Sequence, residues 1–551
     1  MDPDHFDTAS ARLPGAWLRL SRKCARSVLS AVLLATLAAT FACSRHAAEP
    51  QPDPHAATNR LNQELLAQLA AQESQERLLN ETVWAPEILA QHQGQLFDSL
   101  WDAVNAATNK LAVLAAFPIG EIQLADWSLS SQLPHGIELR AAHVPGPTLS
   151  QTEWQARIHG LELDGWQLGE IELRHNRFEP DPDGHPKESV FFFAAHLTHP
   201  ARELRAVIDG DLLVHWAAPD PAAEIAPVRR IDATRLGLRF RRGRPPFQVV
   251  FEDRVTPLRN SQSIDPVILY DLDRDRVSEI VLAARNLAYR RQPDADGYVA
   301  LPLCLHPATV VYTAVIGDFN HDGMPDLLCA SIEGLLLFAG TGQLPFNQPG
   351  QLAFPAPSGW HYPMALTAGD LDADGDLDLF LGQYRVPYES GSLPTPYYDA
   401  NDGHPAYLLL NNGHGLFTDA TSSANLQAKR WRRTYSASLA DLDADGHLDL
   451  VVVSDFAGVD LYHNDGRGRF TDVTDTWVPD ARAFGMAHAL ADFNADGRLD
   501  LLMIGMTSPT VDRLNHLGLW RSDVVEDRTM PARMMYGNRL LLALQIGRAH
   551  V

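Results

Sequence analysis

This chain has 551 residues, with Asp and Glu at 69 positions against Lys and Arg at 45 and a formal charge of −24. The length allows several domains, and the acidity argues against nucleic acid as a partner. Four cysteines in the whole chain exclude a disulfide-stapled scaffold.

Arg19, Arg22, Lys23 and Arg26 precede an apolar run from Val28 to Cys43. A basic segment followed by about 15 apolar residues reads as a secretory signal over residues 1–43, too short and too weakly flanked for a transmembrane anchor. Residues 1–26 are long for a leader, which points to an internal start. Cys43, after Ala42, resembles a bacterial lipoprotein cleavage site and is the expected lipidation position. Thr40 and Phe41 depart from that pattern, and plain secretion with Cys43 incidental is the alternative. The expected location is outside the cytoplasm, as an outer-membrane lipoprotein or a cell-surface, periplasmic or extracellular protein. Any membrane attachment would run through the N-terminal lipid alone.

Residues 44–58, rich in Ala, Pro and His, read as a flexible tether. A helical segment follows over 59–118. Leu61, Leu65 and Leu69, then Leu96, Leu100 and Val104, recur at three- and four-residue steps, and Pro86 suits a first helical turn. These steps predict helices over 59–81 and 86–116. From 122 to 260 the pattern turns to strands, as in 156–163, 169–174, 190–195 and 247–251, where many residues alternate apolar with polar. A small antiparallel β-domain is predicted, arranged as a sandwich, with additional propeller blades as the alternative.

Four copies of one acidic nonapeptide come next. Their carboxylate and carboxamide positions are Asp318, Asn320, Asp322 and Asp326; Asp370, Asp372, Asp374 and Asp378; Asp441, Asp443, Asp445 and Asp449; and Asp492, Asn494, Asp496 and Asp500. A degraded copy precedes them, with Asp271, Asp273, Asp275 and Glu279 but with Arg276 where the others have Gly. So many carboxylates within nine residues repel one another unless a cation lies between them. Oxygen donors at alternate positions suit a hard cation, and Ca²⁺ accepts 6–8 of them. Positions 1, 3, 5 and 9 would bind through side chains. Position 7 (Met324, Asp376, His447, Arg498) would bind through its backbone carbonyl. Gly at position 6 permits the sharp turn. An EF-hand is excluded, because its position 12 requires a bidentate Glu and here carries Cys329, Leu381, Val452 and Met503. Short apolar runs flank every loop, so the unit is strand, loop, strand. Weak extracellular calcium modules, with Kd of about 10⁻⁴–10⁻³ M, fit an exported protein.

The copies recur with a period near 50 residues, which points to a blade array. Inside the period, 408–421 and 461–474 repeat a strand, a tight Asn/Asp-Gly turn and a returning strand, with a weaker version at 336–346. Two hairpins per period make a four-stranded propeller blade. These residues resemble the FG-GAP/VCBS repeats of integrin-α-like propellers. The pairing of loop and hairpin is most similar to proteins of the ASPIC/UnbV and cartilage-acidic-protein type. The resemblance covers 265–545 and implies a mainly β chain, a calcium-binding propeller of four-stranded blades behind the helical segment and the antiparallel β-domain. A C-terminal ASPIC/UnbV module, usual in that family, is not recognisable. Residues 546–551 read like a translated sequencing adapter, which predicts a longer natural chain.

Cys304 and Cys329 lie in apolar, strand-like context and read as buried thiols, with a disulfide as the alternative. No nucleophile elbow, zinc helix, phosphate loop or CxxC pair occurs, so no catalytic residue is assigned. Two segments could carry ligand contacts: the insertion 385–405, with Tyr388, Tyr397, Tyr398 and His404, and the stretch 508–520. The resulting expectation is a calcium-binding exported propeller that serves as a surface binding, adhesion or protein-interaction module for a protein or glycan. The alternative is a polysaccharide-active or redox enzyme with its site on the ring-face loops.

Overall fold

The computed structural model describes residues 81–543 with Ser74 and Leu78, except 142–143, 219–224, 245–246, 248, 256–265, 293–296, 358, 388–393, 520–529 and 536. The leader with Cys43, the tether, most of the first expected helix and residues 546–551 lie outside the described residues. The described residues fall into two compact units, one of 251–506 with the residues after 536, the other of those up to 250 with 507–535.

In the second of these, α1 (Ala85–Ala106) starts on Pro86 in its first turn. The helix expected to run to 116 instead breaks at 107–109, where Asn109 accepts a hydrogen bond from the Ala112 N–H and opens α2 (Lys110–Ala116). The sheet begins with β1 (Glu121–Ala125), β2 (Ser130–Leu133), β3 (Ile137–Arg140) and β4 (Pro145–Ser150). Next is α3 (Gln151–Asp164), where alternation in 156–163 predicts a strand. The local caps override that alternation. Ser150 accepts from the Glu153 N–H while Glu153 reaches back to the Ser150 backbone, and Gly165 stops the helix at φ 97°.

Four long strands complete the sheet: β5 (Gln167–Pro180), β6 (Pro186–His199), β7 (Leu204–Trp216) and β8 (Val228–Arg242). The order is β2-β3-β8-β7-β6-β5, with β1 parallel to β8 and antiparallel to β4. Phe97, Leu100 and Val104 of α1 pack on Ile171, Leu173, Phe191, Val214 and Trp216. The helical segment covers the apolar face of the sheet, so the unit is one helix-backed sheet and not the expected sandwich. The described residues of 247–251 form no strand, where one is predicted. Phe247, Val249 and Val250 are exposed, and Phe251 packs its ring 4.9 Å from Tyr289 in the propeller unit.

The other unit is a five-bladed β-propeller arrangement. Its blades are β9 (Val267–Tyr270), β10 (Glu279–Leu282), β11 (Leu287–Arg291) and β12 (Tyr298–Pro302); β13 (Val311–Gly317), β14 (Asp326–Ser331), β15 (Gly334–Phe338) and β16 (Gln351–Pro355); β17 (Pro363–Gly369), β18 (Asp378–Gln383), β19 (Tyr407–Asn411) and β20 (Phe417–Asp419); β21 (Arg433–Ala440), β22 (Asp449–Asp455), β23 (Gly458–Asn464) and β24 (Phe470–Asp472), followed by α4 (Thr474–Trp477); and a fifth beginning with β25 (Gly485–Ala491) and β26 (Asp500–Gly505). Each sheet is antiparallel in chain order.

The second strands β14, β18 and β22 are buried at every residue. Each has a paired strand on both sides and a neighbouring blade on its faces, so its sequence is a continuous apolar run. Leu328, Leu335 and Leu337 meet Leu379, Leu381 and Leu409, and Phe380 and Leu408 meet Leu450 and Val452. The weak hairpin predicted over 336–346 closes later, on β16, because Phe346 bridges to Cys304 instead. Cys304 and Cys329 are free, buried thiols.

After β26 the chain leaves the propeller. α5 (Pro509–His516) and α6 (Met530–Met534) belong to the helix-and-sheet unit, and β27 (Arg539–Leu541) returns to pair with β26, giving the fifth blade three strands among the described residues. Stretch 508–520, a candidate for ligand contacts in the sequence, contains this α5. Its Arg513 pairs with Glu87 of α1 at 2.8 Å, both side chains buried. No helix among the described residues is long and apolar enough to cross a membrane.

Candidate metal centres

Each acidic nonapeptide joins the first and second strands of a blade, as the flanking apolar runs predict. The ninth residue opens the second strand: Glu279, Asp326, Asp378, Asp449 and Asp500 begin β10, β14, β18, β22 and β26. All five are at most 1% exposed.

One hydrogen-bond frame repeats in every loop. The first Asp accepts from the N–H at position 6, as Asp318 does from Gly323 at 2.8 Å, Asp370 from Gly375 at 3.1 Å, Asp441 from Gly446 at 3.0 Å and Asp492 from Gly497 at 2.8 Å. The fifth residue accepts from the N–H at position 7: Asp322 from Met324, Asp374 from Asp376, Asp445 from His447 and Asp496 from Arg498. The ninth accepts from the N–H at position 2: Asp326 from Phe319, Asp378 from Leu371, Asp449 from Leu442 and Asp500 from Phe493. The degraded copy keeps all three contacts through Asp271, Asp275 and Glu279.

Two residues per loop adopt left-handed backbone. Position 6 is Gly at φ 82–95° in the four full copies and Arg276 at φ 72° in the degraded one. Position 4 is also left-handed, at His321, Ala373, Ala444, Ala495 and Arg274. The sequence marks the first with Gly and gives no sign of the second, since Ala carries no signature for positive φ.

The frame converges the carboxylates. Oxygens of Asp370, Asp372 and Asp374 lie within 4.8 Å of one another, as do those of Asp441, Asp443 and Asp449, and of Asp271, Asp273 and Glu279. Where position 3 is Asn, the side-chain amide turns to its neighbour, Asn320 to Asp322 and Asn494 to Asp496, both at 3.1 Å. The Asp372 Oδ1 is buried with no hydrogen-bond partner, as a cation-binding oxygen would be. The donor set, all oxygen at close range, fits a hard cation.

Burial drives the carboxyls of Asp326, Asp378 and Asp449 upward in pKa against the pull of their backbone donors. Asp326 and Asp449 are raised, and Asp378 is pushed up to about 7, with the charges of Asp372 and Asp374 adding to the effect. A neighbouring cation would reverse that penalty.

Several participants escape sequence reasoning. His463 of β23 places Nδ1 3.5 Å from Asp443 and 3.2 Å from Asp449, so an imidazole joins the third full loop. Arg498 stands 3.7 Å from Asp496 in the fourth. His321 and Asp376, from successive loops, meet at 3.1 Å. Asn411 donates to the carbonyls of Phe319 and Leu377, linking its own loop to that of the preceding blade.

The described part of the insertion 385–405 is tied down by ion pairs. Asp402 accepts two hydrogen bonds at 2.9 Å from Arg433, which is 1% exposed, and Asp399 pairs with Arg432 and Arg482. His404 stacks on His361 at 4.1 Å, and burial, with the charges of His361, Arg385 and Arg433, pushes its pKa down to about 4. Tyr388 lies outside the described residues.

Residues 318–381 and 441–503 match the FG-GAP-like repeat family. Both spans run from an acidic loop to the second strand of the next blade, so FG-GAP-like repeats build this β-propeller. No curated protein matches the chain. Among solved structures it is similar to an Agrocybe aegerita lectin described as specifically recognising non-reducing terminal N-acetylglucosamine. The identity is 16% and the TM-score 0.34, over 62% of this chain and 76% of that one. A likeness that loose carries no argument here.

Proposed function

We propose that this FG-GAP-like propeller is a calcium-binding protein exported from the cell, acting as a surface binding or adhesion module for a protein or glycan ligand, of the ASPIC/UnbV type. A propeller of such repeats is in general a protein-interaction architecture. The single observation that supports calcium is the shared loop frame that brings together carboxylate oxygens of positions 1, 3 and 5 in the copy at Asp370 and of positions 1, 3 and 9 in the copy at Asp441, while the ninth carboxylate is at most 1% exposed in every full copy. Ca²⁺ would supply the counter-charge and pin strand one to strand two in each blade.

Bound metal stabilises by mass action, about 2.7 kcal/mol per site when free ion is 100 times Kd. The test is thermal unfolding of the mature chain with 5–10 mM added Ca²⁺ or with chelator (concentrations chosen to span about 10⁻³ M sites). A melting temperature that ignores both would sink the calcium reading. Glycan- and protein-array binding with and without Ca²⁺ tests the ligand. Export and lipidation at Cys43 are tested by labelling with a lipid precursor and by fractionation of Cys43→Ala.

A further inference from the structure

We propose that the loop of the first blade, 271–279, takes no metal because a side chain of the protein supplies its cation: the guanidinium of Arg290. The inference rests on the calcium reading of the other loops and goes beyond it, since it divides the five loops into two kinds.

Strand register identifies the position. The residue after each ninth carboxylate pairs across to the third strand of its blade: Ile280 with Tyr289, Leu327 with Phe338, Leu379 with Leu409, Leu450 with Tyr462 and Leu501 with Leu541. The next residue along the third strand is therefore equivalent in all five: Arg290, Ala339, Leu410, His463 and Leu542. This position stands beside the acidic loop, because His463 there reaches Asp443 and Asp449. Arg290 is the one permanent cation of the set, and guanidinium cannot be deprotonated in a protein.

Its geometry is that of a counter-ion. Arg290 Nη2 lies 2.8 Å from Asp273 Oδ2 and Nε lies 3.8 Å from Glu279 Oε1, bridging positions 3 and 9 of the loop. Glu279 is 1% exposed, so an unpaired charge there would be costly and a resident partner matters. Arg290 Nε has no hydrogen-bond partner, so its match to Glu279 is one of charge only, and Asp271 Oδ1 is buried without a hydrogen-bond partner, as Asp372 Oδ1 is.

The backbone of the loop is intact despite its changed sequence. Arg276 N still donates to Asp271 at 2.9 Å, Val277 N to Asp275 at 2.7 Å and Leu272 N to Glu279 at 2.9 Å. The loop has kept the fold of its relatives while exchanging their proposed ion for an internal one. A divalent ion entering it would meet the guanidinium at the same two carboxylates.

The experiment counts Ca²⁺ bound by the full chain, by equilibrium dialysis with elemental analysis. The wild type should bind no more than four ions, and Asp273→Asn should leave the count unchanged. Arg290→Leu combined with Arg276→Gly, which restores the residues of the third blade, should add one ion and make the melting temperature depend more steeply on Ca²⁺. A wild-type count of five that Asp273→Asn lowers by one overturns the proposal, as does a folded double variant that gains no ion. Should the double variant not fold, the Asp273→Asn comparison decides alone. A count of zero overturns the calcium reading itself, and this inference with it.

Discussion

Asn464 of β23 donates through Nδ2 to the carbonyl oxygen of Leu371 at 2.9 Å, across 93 residues of chain. Leu371 is position 2 of the preceding blade's loop, and the same amide donates to Leu448 of its own loop at 3.1 Å. Asn411 repeats the arrangement one blade earlier with Phe319 and Leu377. These two carboxamides tie the loops that begin at Asp318, Asp370 and Asp441 in series, so whatever orders one of the three bears on its neighbour.

Asn464→Ala removes the side-chain donor to the Leu448 carbonyl and one of two donors to the Leu371 carbonyl, which keeps the Gly468 N–H, and it leaves the Gly466 N–H without the Asn464 Oδ1 acceptor. The expected loss is about 1–3 kcal/mol, read as a lower urea midpoint. Asn464→Asp should do at least as much harm, because it turns an acceptor on those carbonyls. An unchanged midpoint in both variants would remove the amide from any bracing role.

Burial raises the Asp455 carboxyl from 3.8 to about 6, although the Tyr384 hydroxyl, the Phe456 N–H and Arg433 pull it down. Tyr384 donates to it at 3.2 Å. The folded state therefore favours the neutral acid. The stability this adds is complete below pH 3.8 and fades as pH rises through about 6. With Ca²⁺ held at one fixed concentration, wild type should lose midpoint relative to Asp455→Asn between pH 4 and pH 7. Parallel curves would contradict it.

The Arg513–Glu87 pair is buried on both sides. Arg513→Met alone strands a carboxylate and should cost about 3–5 kcal/mol, whereas Arg513→Met with Glu87→Leu should cost far less. A double-mutant cycle in denaturant checks this, and additive losses would refute it.

Gly458 and Gly446 both have positive φ, 87° and 93°, but differ in surroundings. A Cβ on Gly458 would come 1.8 Å from the Ala481 carbonyl oxygen, while one on Gly446 meets nothing within 4 Å. Gly446→Ala should cost about 1 kcal/mol through backbone strain alone, and Gly458→Ala several-fold more. Comparable melting temperatures would count against the clash.

Residues such as Asp370, Asp374 and Gly375 are readable in the linear chain because their contacts span only two to eight positions. The spacing that brings the carboxylates together is written into the nonapeptide, and the apolar runs beside it can only be buried strands. Where a contact is longer, the reading fails. Residues 156–163 alternate like a strand, yet Ser150, Glu153 and Gly165 cap them into a helix. The stretch 508–520 follows an acidic loop and yet packs on α1 through Arg513, because its partner Glu87 stands more than four hundred residues away.

Local composition thus settled the acidic loops, their strands and the blade repeat, since a short-range pattern needs no partner to be recognised. Cross-strand register and the stacking of sheets decided the rest. That Arg290 and His463 occupy one equivalent place, that Asn464 grips the preceding loop, and that α1 backs a single sheet all follow from which strands lie side by side. Pairing between distant segments leaves no mark in the order of residues along either one.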